Sequence, residues 1–98
     1  MNINVYEQTG DFAEDKDSAA TIREEILRPA LKSGARVTID FEGVRLATQS
    51  FVHALIADVL RSEGEKALDI MEFKNCHKSV RGIVETVVQY ALETMDDA

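Results

Sequence analysis

Apolar residues along this chain recur in two rhythms, every second position and every third or fourth, and the changes of rhythm mark its elements. Ile3 and Val5 alternate with Asn2, Asn4 and Tyr6, which predicts a strand over residues 2–8. Thr9-Gly10-Asp11 closes it as a turn. The acidic stretch from Asp11 to Asp17 reads as solvated, with Phe12 as its anchor. From Ser18 to Lys32, the residues Ala19, Ile22, Ile26, Ala30 and Leu31 keep helical spacing, with Asp17 or Ser18 as the cap. Glu24 and Glu25 fall in its first half, toward the positive end of the helix dipole. Pro29 has no N–H to give the helix, so a kink is expected near Glu25 to Arg28. Ser33-Gly34 ends the helix.

A second strand is predicted over residues 35–41, with Val37, Ile39 and Phe41 on one face and Thr38 and Asp40 on the other. Glu42-Gly43 stops it. Val44 and Leu46 stay apolar, so the loop is expected to be anchored in the core. The next helix runs from about Ser50 to Arg61 on a stripe of Val52, Leu55, Ile56, Val59 and Leu60, and Ser62-Glu63-Gly64 ends it. Leu68, Ile70, Met71 and Phe73 predict a third strand over residues 67–73. Val80, Ile83, Val84, Val87, Val88, Ala91, Leu92 and Met95 make the last helix the clearest of all, with Asn75 as its N-cap. Gly82 inside it costs about 1 kcal/mol relative to alanine, which points to close packing on the sheet or on a partner. Asp96-Asp97-Ala98 reads as a frayed tail. The order β-α-β-α-β-α predicts an α/β fold, a single layer of small, mostly parallel sheet with helices packed on it.

Composition narrows the classes without choosing a chemistry. Ninety-eight residues make one domain, residues 1–98, and 45% hydrophobic content with a single proline argues against disorder. A net charge of −7 is the wrong sign for nucleic acid. The first residues have neither the basic flank nor the apolar core of a signal peptide, and no apolar run is long enough to span a membrane. The lone Cys76 has no internal partner and fits a reducing cytoplasm.

Ser50 is the candidate with the sharpest chemistry. It stands where a helix begins after a strand that ends in Asp40, and the unpaired amides and dipole of a helix start favour an anion such as a phosphate. The plainer reading is that Ser50 caps the helix, or that Thr48 caps it and leaves Ser50 in the first turn. Asp40 either orients a hydroxyl or partner across the loop, or accepts backbone hydrogen bonds from the Glu42-Gly43 turn. Phe51 is either a buried plug or an exposed interface anchor. His53 sits beside the apolar stripe, and with Asp58 and His77 it lacks the i, i+4 spacing of a helical zinc site. Cys76 at a helix start would be more acidic than usual, although a free cysteine is commonly a small buried hydrophobe. The scattered glycines form no phosphate loop. No metal, cofactor or enzymatic activity is expected.

Val37-Thr-Ile-Asp-Phe-Glu-Gly-Val44, Gln49-Ser-Phe51 and Phe73-Lys-Asn-Cys76 together resemble the STAS-like domain family, bacterial proteins related to the anti-anti-sigma factors and sulfate-transporter regulatory domains. The specific part of the likeness spans about residues 36–76. It implies the same α/β fold and a non-enzymatic protein-interaction module in bacterial regulation, acting in the cytoplasm without membrane or nucleic acid. In the anti-anti-sigma proteins a serine at this helix start is phosphorylated by an ATP-binding kinase partner, which is then released, and Ser50 matches it by position. The family's Asp-Ser-Ser-Gly is Thr48-Gln-Ser-Phe51 here. The implied partner surface is Asp40, Thr48, Gln49, Phe51 and His53. The alternative function is a small-molecule or nucleotide-binding domain using the same crevice at the strand ends.

Overall fold

The computed structural model describes residues 1–95. In chain order the elements are β1 (Asn2–Asn4), a short helix α1 (Val5–Thr9), β2 (Phe12–Ala13), a long helix α2, β3 (Val37–Asp40), β4 (Leu46–Ala47), a second long helix α3, a short helix α4 (Lys66–Ile70), β5 (Met71–Lys74) and the last helix α5 (Lys78–Met95). Helix α2 passes through Lys16–Ile22, a π-helical segment Arg23–Leu27 and Arg28–Lys32. Helix α3 is built the same way, from Gln49–Val52, a π-helical segment His53–Ala57 and Asp58–Glu63.

The main sheet has the order β1-β3-β5, all parallel, with Ile3, Ile39 and Phe73 side by side in register. Strand residues alternate faces. Ile3, Val37, Ile39 and Met71 are buried on one face. On the other, Asn2, Thr38 and Glu72 form one polar row, and Asn4, Asp40 and Lys74 form the next. None of those six is buried. The helices therefore cover one face, over a core that includes Ile22, Leu27, Phe41, Phe51, Leu55, Ile56 and Leu60. A second parallel pair, β2 with β4, sets Phe12 beside Leu46 and Ala13 beside Ala47.

Several expectations give way to local chemistry. The first strand stops at Asn4, not at residue 8, because the Asn4 side chain accepts from the Glu7 amide and caps α1. Phe12 does not anchor the acidic stretch: it is 44% exposed, and Ala13 beside it is buried. Helix α2 starts earlier than Ser18, since the Asp15 carboxylate accepts from the Asp17 amide at 3.0 Å and from the Ser18 hydroxyl. The third strand begins only at Met71. Helix formers Glu65, Lys66, Ala67 and Leu68 turn the segment before it into α4.

Pro29 distorts α2 where the sequence places the kink, and the distortion takes a definite form. Its ring would collide with the carbonyl four residues back, that of Glu25. The helix widens just before it, and the Arg28 amide donates to the Arg23 carbonyl five residues earlier. In the last helix, Val80, Val84, Val87 and Ala91 are buried on the expected stripe. Asn75 is not its cap but lies in the left-handed region at φ 55°, which asparagine tolerates better than most residues. His77 holds the helix start instead, its carbonyl accepting from the Arg81 amide at 2.9 Å. Gly82 has no packing reason on the sheet side: a Cβ added there meets nothing within 4 Å. No described helix is long and apolar enough to cross a membrane. The tail 96–98 and the Met95 side chain lie outside the described residues.

Candidate functional site

Two strand-to-helix junctions meet at the carboxyl ends of β3 and β5, the end where parallel sheets gather ligands. After β3 the chain makes a tight turn in which the Val44 amide donates to the Phe41 carbonyl at 2.9 Å. Gly43 sits there at φ 88°, with the Tyr6 ring only 2.9 Å from where a Cβ would be. Both facts require glycine. Val44 is buried, as expected of the loop, but Leu46 is 54% exposed because its neighbour Ala47 takes the inward position of β4.

Helix α3 then starts on Thr48. Its Oγ1 accepts from the Phe51 amide at 3.0 Å, and its carbonyl accepts from the Val52 amide. Thr48 is thus the N-cap, and Ser50 is not. Gln49 and Ser50 are exposed in the first turn, and the Ser50 hydroxyl has no hydrogen-bond partner among the described residues. Phe51 is fully buried, so it is not part of any contact surface: it is the plug that fixes the helix to the core. His53 is half-buried, with its ring 5.9 Å from that of Tyr90. Lys16, at the start of α2, joins Gln49, Ser50, His53 and Ala54 around an open depression of about 420 Å³.

Behind this depression the two π-helical segments are linked. Arg23 Nη1 donates to the Ala54 carbonyl at 2.7 Å, while Arg23 Nε donates to the Glu24 carboxylate at 2.6 Å. A wide turn tilts its carbonyls off the helix axis, and a guanidinium satisfies one here. Glu24 also receives Arg28 at 3.2 Å, and these cations hold its carboxyl below the usual range, Arg23 foremost.

Asp40 takes the quieter of its two roles. Its Oδ1 accepts from the Glu42 amide at 2.9 Å and from Asn75 Nδ2 at 3.1 Å. The Glu42 amide first, then Asn75, holds its carboxyl below the ordinary value. It therefore ties the two junctions together. A second tie runs from the Ser79 hydroxyl to the Arg45 carbonyl at 3.0 Å. His77 is exposed and hydrogen-bonds Ser79, and burial pushes the Cys76 thiol up rather than down, which makes it a poorer nucleophile. His53, Asp58 and His77 belong to no cluster of three metal-ligating side chains among the described residues.

Sequence reasoning missed one surface altogether. Phe12 and Leu46, paired across β2 and β4, are both exposed beside Asp11, Arg45, His77 and Ser79, around a depression of about 620 Å³. Each is followed by a small alanine that turns inward, and that Phe-Ala and Leu-Ala echo is the signal that could have shown it.

A parallel sheet with helices on one face, and a capped helix leaving the end of its middle strand, define a small α/β domain of STAS-like type. Residues 18–81 match the STAS-like domain of unknown function (DUF4325), and the chain belongs to that family. Neither a curated protein nor a solved structure matches the chain.

Proposed function

We propose that this domain is a non-enzymatic protein-interaction module of a regulatory kind, with the exposed start of α3 as its contact surface. Gln49, Ser50 and His53 make the contact. Thr48 and Phe51 hold that surface in place, and Asp40 ties the neighbouring turn at Glu42 to Asn75. The single observation that carries the reading is the capping of α3 by Thr48, which leaves the Ser50 hydroxyl exposed and without a hydrogen bond among the described residues. A serine used as a cap is occupied, whereas this one is available.

An ATP-binding kinase-type partner would switch the contact. Ser50 Oγ bonds to the γ-phosphorus of ATP, the bond to the bridging oxygen breaks, ADP leaves, and the hydroxyl proton passes to a base of the kinase. The modified serine carries nearly two negative charges in the first turn, beside Lys16, and changes what that surface can bind. The test is binding to such a partner by calorimetry. Ser50→Asp should weaken it at least about tenfold, equivalent to about 1.4 kcal/mol, while Ser50→Ala leaves it near the parent. Equal binding by all three proteins would remove the switch, and unchanged binding by Gln49→Arg would remove the surface.

A second reading rests on the depression itself. Its volume of about 420 Å³ lies in the range of ligand sites, and Lys16 and His53 suit an anionic small molecule or nucleotide. A nucleotide that raises the melting temperature, and does so less for Lys16→Ala, would favour this reading over the first.

A further inference from the structure

The sheet has an open edge whose chemistry is complementary to itself. In a parallel ladder each residue sends its N–H and C=O to the same side, and successive residues alternate sides. The Phe41 amide donates to the Lys74 carbonyl at 2.9 Å, so Lys74 and Glu72 bond toward β3. Phe73 between them therefore directs its N–H and C=O away from the sheet, and β5 has no neighbour on that side among the described residues. An unpaired strand edge is a template for another strand.

Beside this edge lies an apolar groove of about 480 Å³, lined by Leu68, Met71, Phe73, Val84 and Val88, with Arg81 and Glu85 among its polar margins. We propose that β5 pairs with β5 of a second copy of this chain, antiparallel about a two-fold axis at Phe73, to form one six-stranded sheet. Charge selects both the occupant and the register. With the axis at Phe73, Glu72 of each copy stands opposite Lys74 of the other, on the polar face where both are exposed. Shifting the pairing to centre on Glu72 sets two carboxylates face to face, and centring it on Lys74 sets two ammonium groups face to face. Like charges directly opposite are unfavourable, and opposite charges favourable.

The backbone agrees with that choice. Phe73, facing outward, meets its own counterpart as a hydrogen-bonded pair, each amide donating to the other carbonyl. On the opposite face the two Phe73 rings approach, and the two grooves join into one apolar surface beneath the joined sheet. A two-fold interface of this kind uses the same patch on both copies and closes without leaving a free edge at the join. It shares no lining residue with the depression around Ser50, so both surfaces can be used at once.

Sedimentation equilibrium on the whole chain tests the proposal. The parent should have twice the monomer mass of 10.9 kDa. Glu72→Lys alone, or Lys74→Glu alone, should weaken dimerisation about tenfold or more, since both salt contacts of the pair become repulsive. The double variant Glu72→Lys, Lys74→Glu should restore it. Independently of any variant, hydrogen exchange at the Phe73 amide should slow as parent concentration rises. A parent that stays monomeric at NMR concentrations overturns the proposal. So does a dimer indifferent to the single swaps, a double swap that fails to recover, or a Phe73 amide indifferent to concentration.

Discussion

The two junctions that lead from neighbouring strands into helices are held by different forces. From β3 to α3 the chain is pinned by burial: Phe41, Val44 and Phe51 lie in the core on either side of a glycine turn. From β5 to α5 the path is three residues, Asn75, Cys76 and His77, none of them buried, and polar bonds to Asp40 and Ser79 define it. Both present exposed side chains at the same end of the sheet. Rigidity from burial is indifferent to pH and costly to disturb, whereas rigidity from exposed hydrogen bonds is small in energy and sensitive to titration.

The largest test of this contrast is Phe51→Ala. Emptying a fully buried aromatic site should cost about 3–5 kcal/mol in urea denaturation. An interface anchor would instead lose binding at unchanged stability. Within the same junction, Thr48→Ala should cost about 1 kcal/mol, because the Phe51 amide loses its acceptor. Ser50→Ala should stay within about 0.5 kcal/mol of the parent. The reverse ranking would return the capping role to Ser50.

The smallest effect belongs to the polar junction. The Asp40 carboxyl has a lowered pKa, so its contribution to stability is whole above its ordinary value and fades as pH falls through the folded value. Asn75→Ala removes one of its two donors, and the side-chain carboxyl carbon of Asp40 should then titrate at higher pH by NMR. No change in that titration would mean that the Glu42 amide alone sets it.

Period-two and helical spacing made the three parallel strands and the three long helices legible, because each buries one face of an amphipathic pattern. Pro29 announced a distortion in α2, and Gly34 and Gly64 announced two helix ends. Caps were read less well. Asn4, Asp15, Thr48 and His77 hold helix starts through side-chain or backbone groups that a pattern of hydrophobicity does not distinguish from neighbours such as Asp17, Ser50 and Asn75. The segment before Met71 shows the same limit from the other side: Leu68 and Ile70 alternate like a strand, yet one turn of helix suits Lys66 and Ala67 better. At the site, Phe51 could be placed beside the helix start from sequence, but its burial depended on packing from residues distant in the chain.

The wide turns of α2 and α3 have a consequence for the length of the chain. A π-helical turn takes up one residue more than a regular turn, and one residue corresponds to about 100° of rotation around a helix. Val52 before the wide turn of α3 and Val59 and Leu60 after it are all buried, and removing one residue between them would turn the later pair about 100° away from the face that Val52 occupies. The number of residues between Val52 and Val59 is therefore as strict a packing condition as their identity, and in this helix a missing residue is a graver change than a wrong one.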